Sequence, residues 1–450
     1  MSTRATIHEP AREVPIAHEC DICIISGSCT GVFAAVRAAR LGAKVAIVEN
    51  NVIFGGMATA AMVNEWHSTL DVHNDRTVIA GLTAEMIERL RKRDAVQDVS
   101  PIHRVQYRFN SAEMAGELDR FVVEHGIRPF LSAKFVTAIR DETEAGKITA
   151  AVIEDKSGRR AIKAKFFIDA SGDGDLIRRA GFQAYRADQL QPVTLVALMG
   201  GIRDQKDFWH RTKHLAEKHG YPLATSFPWI HAWLGTPDLC NVYGPRLNGV
   251  DASDADALTD TLLKARQMHR ALADMGHEAL GARPSIAGWA HALGVRETWH
   301  AKCLHQLTGH ELLHGEPFPD AIANGVYPVD IHHPNGTLLR YIDGREEVVE
   351  KTGAHYWTRW RDESEPTPRC YHVPYRSLVP VGAKNVLVAG RCLDADRDAF
   401  GGVRVMVNMN QTGEAAGVAS WLALNAGVDV GNIDVNTLRK TLASGGSVVL

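Results

Sequence analysis

The stretch from Asp21 to Gly56 constrains this chain more than any other. An apolar run, Ile22 to Ile25, breaks into a Gly/Ser loop, a helix-patterned segment follows from Val32 to Leu41, and a second apolar run from Lys44 to Val48 ends at Glu49. That order describes a strand, loop, helix, strand unit whose loop sits where a helix begins. Free N–H groups and the positive end of the helix dipole at such a place suit a pyrophosphate. Glu49 falls 18 residues beyond Gly31, about where an acidic side chain takes a ribose hydroxyl in units of this kind. The pattern predicts a nucleotide site on Ser26, Gly27, Ser28, Thr30, Gly31 and Glu49.

The loop departs from the usual Gly-x-Gly-x-x-Gly spacing, which falls here on Ser26, Ser28 and Gly31. Only the third glycine is kept, the one that lets helix and strand pack closely. Ser26 must make the tight turn with a Cβ present, at a cost of order 1 kcal/mol if its φ is positive. Ser28 narrows the approach of a phosphate, although its hydroxyl can donate to one. On the loop alone, a buried βαβ unit without a ligand is an equal reading.

Three separated motifs narrow the choice. The first is this stretch with its tail Phe54-Gly55-Gly56-Met57-Ala58-Thr59. The second runs from Phe167 to Asp175 through Asp169-Ala170-Ser171-Gly172-Asp173. The third is Asn385 to Cys392 with Gly390-Arg391, followed by Gly401-Gly402-Val403-Arg404-Val405 and a long helix pattern. Together they resemble the FAD-dependent oxidoreductases of the glutathione-reductase-like fold, in particular the FAD oxidoreductases distantly related to fumarate reductases. The resemblance runs from about residue 18 to about residue 425.

It implies an α/β chain with a Rossmann-type FAD-binding domain and an inserted α+β substrate domain. The expected organisation is a polar arm over 1–17, the first part of the FAD domain over 18–182, a substrate domain over 183–375 and the remaining FAD-binding part over 376–450. The same resemblance adds Gly56, Met57, Gly172, Asp173, Gly390, Arg391, Arg404 and Val405 to the cofactor contacts. Covalent attachment in the fumarate reductase relatives uses a histidine just before the Gly-Gly pair. Here Asn50 to Phe54 contains none, so FAD is expected to bind non-covalently.

Composition excludes several partners. A formal net charge of −3 and a pI near 6.7 give no electrostatic case for nucleic acid or an anionic membrane. No run approaches the ~20 apolar residues of a membrane span, and the N-terminal residues lack the apolar core of a signal peptide. Seven cysteines, an odd number, suit reduced thiols better than a disulfide framework. A soluble cytoplasmic protein with a small-molecule substrate is expected; electron acceptor and oligomeric state stay open.

Elsewhere, Leu82 to Leu90 has helix spacing, Asn110 and Glu113 read as a capping box for a helix ended by Gly126, and Ile127 to Asp169 reads as a β-meander. Ser253 reads as the cap of a helix ended by Gly276. Gly413 and Gly417 give the last long helix a small-residue face. His310-Glu311-Leu312-Leu313-His314 spells a zinc-peptidase pattern, but Gly309 and Gly315 leave little room for the helix it needs, so it reads as coincidence. Strand alternation turns Cys20 and Cys23 to opposite faces. Cys29, at the helix start, is a structural thiol or a somewhat acidic one.

Most of the nine tryptophans lie between 183 and 375, which suits a substrate pocket or an ordinary core. Within that region Gly294 to Thr298 and Tyr327 to His332 match the resembled group's substrate-side pattern. Arg296 is expected to hold an anionic oxygen and His332 to exchange a proton, with an internal Arg296–Glu297 pair and a core histidine as the alternatives. His67 is a third catalytic candidate. The implied function is hydride transfer between a small organic substrate and flavin N5. A flavin-dependent isomerase or lyase, or a scaffold that has lost FAD, remains open.

Overall fold

The computed structural model describes residues 5–99, 105–202, 204–222 and 228–450; the first four residues of the expected arm lie outside them. The Asp21–Gly56 pattern folds as β1 (Ile16–Ile25), α1 (Cys29–Arg40) and β2 (Val45–Val48). β1 starts inside the stretch expected to be arm, because Ile16 and His18 already pair with Ala161 and Ile162. Ile22 through Ile25 are all buried, as expected of a strand covered on both faces.

β1 and β2 belong to a seven-stranded sheet, in the order 128–130, β2, β1, 158–169, 148–155, 134–140. The strand over 158–169 is shared: its first half pairs antiparallel with 148–155, and Phe167 to Asp169 pair parallel with Val386 to Val388. The chain therefore returns after more than two hundred residues to complete the parallel core. The architecture is mixed α/β with a parallel-strand sheet, the arrangement of a Rossmann-type FAD-binding domain.

The last long helix, α2 (Met406–Ala426), lies on α1. A Cβ at Gly413 would stand 2.1 Å from the Thr30 carbonyl oxygen, and one at Gly417 would stand 2.2 Å from that of Ala34. The small-residue face is thus what lets two backbones touch. A buried ion pair, Arg37 with Glu414, crosses the same contact, and Ser447 joins both side chains.

A second buried apolar cluster is drawn from residues 193–295. Its antiparallel sheet has the order 229–232, 239–247, 193–200, 285–289, and a 26-residue helix, Ala255–Leu280, packs on it. That helix is capped by Asp254 rather than Ser253, and it ends at Gly281 in a left-handed conformation rather than at Gly276. Ser253 bonds Asp251 instead. Gly276 is a packing glycine, where a Cβ would lie 2.5 Å from Pro284 Cγ.

Two smaller expectations also change, and one that stood open is decided. Asn110 accepts from the Ala112 and Glu113 N–H groups, but the Glu113 carboxylate pairs with Arg93 rather than closing the box. Gly309–His314 does form a short helix, with Thr308 and Glu311 in a reciprocal capping box, so Glu311 serves as a cap. Cys29 is a structural thiol: it is buried, it donates to the Gly55 carbonyl, and burial pushes it up to about 12. Among the described residues no helix is long and apolar enough to cross a membrane.

Candidate active site

Between β1 and α1 the chain turns at Ser26, whose φ of 81° is the strained value the missing glycine implied. Two hydrogen bonds hold it there: Ser26 Oγ donates to Glu49 and accepts from the Ser28 N–H. Ser28 is the N-cap of α1. Its hydroxyl accepts from the Gly31 N–H at 3.2 Å and donates to the Ala170 carbonyl at 3.1 Å, so it is engaged by the fold itself. A Cβ at Gly31 would come within 2.0 Å of the Ser26 carbonyl oxygen, which explains why this glycine is kept.

Glu49, 2% exposed, closes the turn from the other side. Its carboxylate accepts from the Gly27 N–H at 2.7 Å and from the Asn51 N–H and side-chain amide at 2.7 and 2.6 Å. The turn after Asp169 is organised in the same way, because that buried carboxylate accepts from the N–H groups of Ser171, Leu176 and Ile177. Burial pushes Asp169 up to about 6. Gly172 and Asp173 sit on this turn, and the Asp173 carboxylate accepts from the Thr298 hydroxyl at 2.7 Å.

These turns line a cavity of about 370 Å³. Ser26, Ser28, Thr30, Glu49, Gly56, Met57, Gly172, Asp173, Gly390, Arg391 and Arg404 border it; Gly27 and Gly31 lie behind its wall, and Val405 faces a different space. Two observations fit a dinucleotide here. Gly56 has a φ of 52°, and a Cβ on it would stand 3.3 Å from that of Ser28, narrowing the groove at the helix start. Arg391 Nη1 and Asn410 Oδ1, both on the cavity, are buried without a partner in the protein, a state that a polar ligand relieves.

The second cavity, about 300 Å³, collects His67, Arg296 and His332 with Arg246, Tyr327 and Asp330. Met57, Val295, Arg391, Arg404 and Met406 line both cavities. α2 begins at this junction, and its N-cap Val405 offers no side-chain acceptor. Sequence reasoning passed over Arg246. Its only signal was a charged residue in an otherwise buried strand, Leu239–Leu247.

Arg296 is fixed by the Pro192 carbonyl at 2.7 Å and Thr194 Oγ1 at 3.1 Å. The alternative, a pair with Glu297, does not form; Glu297 accepts from the Gln191 N–H and faces His300. Burial, with the like charges of Arg246 and Arg404, pulls the Arg296 guanidinium down to about 9. Asp330 accepts from the Tyr327 hydroxyl at 2.5 Å and from Arg404 at 3.1 Å. Burial pushes Asp330 up, but His332, Arg404 and Tyr327 outweigh it and hold the carboxyl well below its usual range.

His332 Nδ1 meets Thr337 Oγ1 at 3.0 Å, and Nε2 lies 3.2 Å from Asp330 Oδ1. Burial, only partly opposed by Asp330, pulls this imidazole down to about 3, so it is neutral at pH 7. The ring of His67 stands edge-on to Tyr327, with centroids 4.4 Å apart.

Residues 21–442 match the family described as FAD dependent oxidoreductase. No curated protein matches the chain. Among solved structures, a geranylgeranyl bacteriochlorophyll reductase-like protein from Thermoplasma acidophilum is 12% identical, with a TM-score of 0.44 over 95% of this chain and 84% of that one. An anhydrotetracycline hydroxylase from Streptomyces rimosus is 11% identical at a TM-score of 0.44, over 95% and 66%. A flavin-dependent brominase is 13% identical at 0.45, over 94% and 83%. By its match over nearly the whole chain, this protein belongs to the FAD dependent oxidoreductase family and is an enzyme that uses FAD.

Proposed function

We propose that the enzyme moves a hydride between a small organic substrate, held in the smaller cavity, and FAD bound non-covalently in the larger one. The observation that carries this reading is the common wall of the two cavities, formed by Met57, Val295, Arg391, Arg404 and Met406. FAD, when bound, supplies the hydride chemistry; the protein's part is binding, orientation and proton handling. In this reading the chain follows the glutathione-reductase-like plan, with 183–375 as the inserted substrate domain.

The loop from Ser26 to Gly31 offers the N terminus of α1 to the pyrophosphate, and Glu49 takes a ribose hydroxyl by giving up one of the four donors it now accepts from Ser26, Gly27 and Asn51. Gly56, Met57, Gly172, Asp173, Gly390, Arg391 and Arg404 complete the cofactor's surroundings. Arg296, pinned by two acceptors behind it, presents its guanidinium to an oxygen of the substrate. His67 is the proton-exchanging group on the cavity wall. His332, hydrogen-bonded to Thr337 and 3.2 Å from Asp330, acts as a positioning residue beside the carboxylate that serves Tyr327 and Arg404.

The test is an anaerobic substrate screen that follows loss of oxidised-flavin absorbance by stopped flow. Arg296→Gln is expected mainly to weaken substrate binding, and His67→Gln to slow flavin reduction by roughly 10²–10⁴-fold. His332→Gln should shift the pH profile of reduction more than its maximum. Product formed without an acceptor and without net flavin reduction would replace this reading with an isomerase or lyase.

A further inference from the structure

The smaller cavity holds more positive charge than the protein neutralises. Arg246, Arg296 and Arg404 all line it, and the charges of Arg246 and Arg404 both act on Arg296. Among the described residues neither Arg246 nor Arg296 has a carboxylate within ion-pair distance. Arg246 makes one long bond, 3.5 Å to Thr337 Oγ1, and Arg296 bonds only the Pro192 carbonyl and Thr194 Oγ1. The opposing charge is Asp330, ion-paired with Arg404 at 3.1 Å.

The other charges nearby cancel in place. Glu65 pairs with Arg108 at 2.9 Å, and Arg391 faces Asp173 at 3.4 Å. Three guanidinium groups therefore stand against one carboxylate, an excess of two positive charges around a cavity that is only partly screened by water. Unpaired charge held away from water is costly. The uncapped N terminus of α2 at Val405 adds to the same positive potential. An entering anion relieves that cost, and the guanidinium fork matches a planar or tetrahedral oxyanion bidentately.

We propose that the substrate is an organic dianion, carrying two carboxylates or one phosphate monoester, whose charged groups are held by Arg246 and Arg296. This rests on the smaller cavity being the substrate site. Arg404, already tied to Asp330, sets the positive potential at the common wall.

The experiment is a titration of the FAD-loaded enzyme with succinate, methyl phosphate and neutral succinamide, read by calorimetry and by the flavin difference spectrum. At least one dianion is expected to bind saturably and succinamide not to bind; the tighter dianion identifies the headgroup. Arg246→Gln and Arg296→Gln should each weaken that binding about tenfold or more. Their ligand-free melting temperatures should hold or rise, because a half-buried charge without a carboxylate partner is removed.

Absence of binding by either dianion to an enzyme with a normal flavin spectrum overturns the inference and leaves the hydride-transfer reading standing. Binding unchanged in the double variant also overturns it. So does a dianion-insensitive enzyme in which Arg246→Gln lowers the flavin potential, since the charge then serves the reduced cofactor. An enzyme that binds a dianion at these arginines yet neither reduces nor oxidises its flavin retires the redox reading and keeps this one.

Discussion

Replacing Gly417 with alanine tests the contact on which the cofactor loop rests. In an ordinary helix interior this change stabilises by about 1 kcal/mol. Here the new Cβ would stand 2.2 Å from the Ala34 carbonyl oxygen and 3.0 Å from its carbon, about 1 Å short of a comfortable contact. Both partners are helix backbone and neither can rotate away. Overpacking of this kind costs about 1–3 kcal/mol, so the sign reverses, and a net loss of about 2 kcal/mol at the upper part of that range is expected.

The loss also reaches the site. α1 must retreat from α2, and with it the loop from Ser26 to Gly31; Thr412 on α2, which accepts from the Gly390 N–H at 2.9 Å, moves as well. FAD affinity should fall about tenfold, equivalent to roughly 1.4 kcal/mol. The assay is urea unfolding with and without saturating FAD, with Gly116→Ala as the control. Gly116 lies on the exposed face of the helix Ser111–Glu124, and a Cβ there meets nothing within 4 Å. That control should gain about 0.5–1 kcal/mol. A Gly417→Ala protein as stable as wild type, beside a control that behaves, refutes the reasoning.

Further variants probe buried charge and the cofactor loop. Arg37→Met leaves Glu414, 1% exposed, buried without its cation, and should cost about 3–5 kcal/mol by urea midpoint, with Arg37→Met/Glu414→Met recovering part of it. His269 is fully buried, and burial pulls it from 6.5 down to about 4. Its contribution is present above pH 6.5 and lost as pH falls toward 4, up to about 3 kcal/mol, so His269→Gln should flatten the urea midpoint against pH across that window. Gly31→Val should abolish FAD binding, whereas Ser28→Gly should weaken it only mildly, because the serine hydroxyl caps α1 rather than standing free; equilibrium dialysis of FAD separates the two.

What the sequence made legible was what local periodicity and single-residue sterics decide. The βαβ pattern and the strain at Ser26 need only the chain within a few dozen residues, and the small-residue face of Gly413 and Gly417 is read locally although its partner α1 lies at the other end of the chain. Two failures came from choosing between neighbours with the same local chemistry: Ser253 and Asp254 both cap well, and Gly276 serves packing against Pro284 where a helix stop was expected. For Cys29 the structural alternative holds, because desolvation in the folded core outweighs the helix dipole. Arg246 was invisible for a different reason: its meaning is the charge balance of a cavity whose other members come from residues 296, 330 and 404. The role of His332 changed on contact with Thr337 and Asp330, partners that only the folded hairpin over 329–340 brings to its two nitrogens.

We expect this chain to hold FAD without a covalent bond in the cavity bordered by Ser28, Glu49, Gly56 and Gly390. This is tested most directly by acid precipitation of the purified yellow protein, followed by identification of the flavin in the supernatant and in the pellet. FAD should appear in the supernatant at about one per chain, with none left on the protein, and the Gly31→Val protein should be colourless. Flavin retained in the pellet, FMN in place of FAD, or a yellow Gly31→Val protein would contradict it.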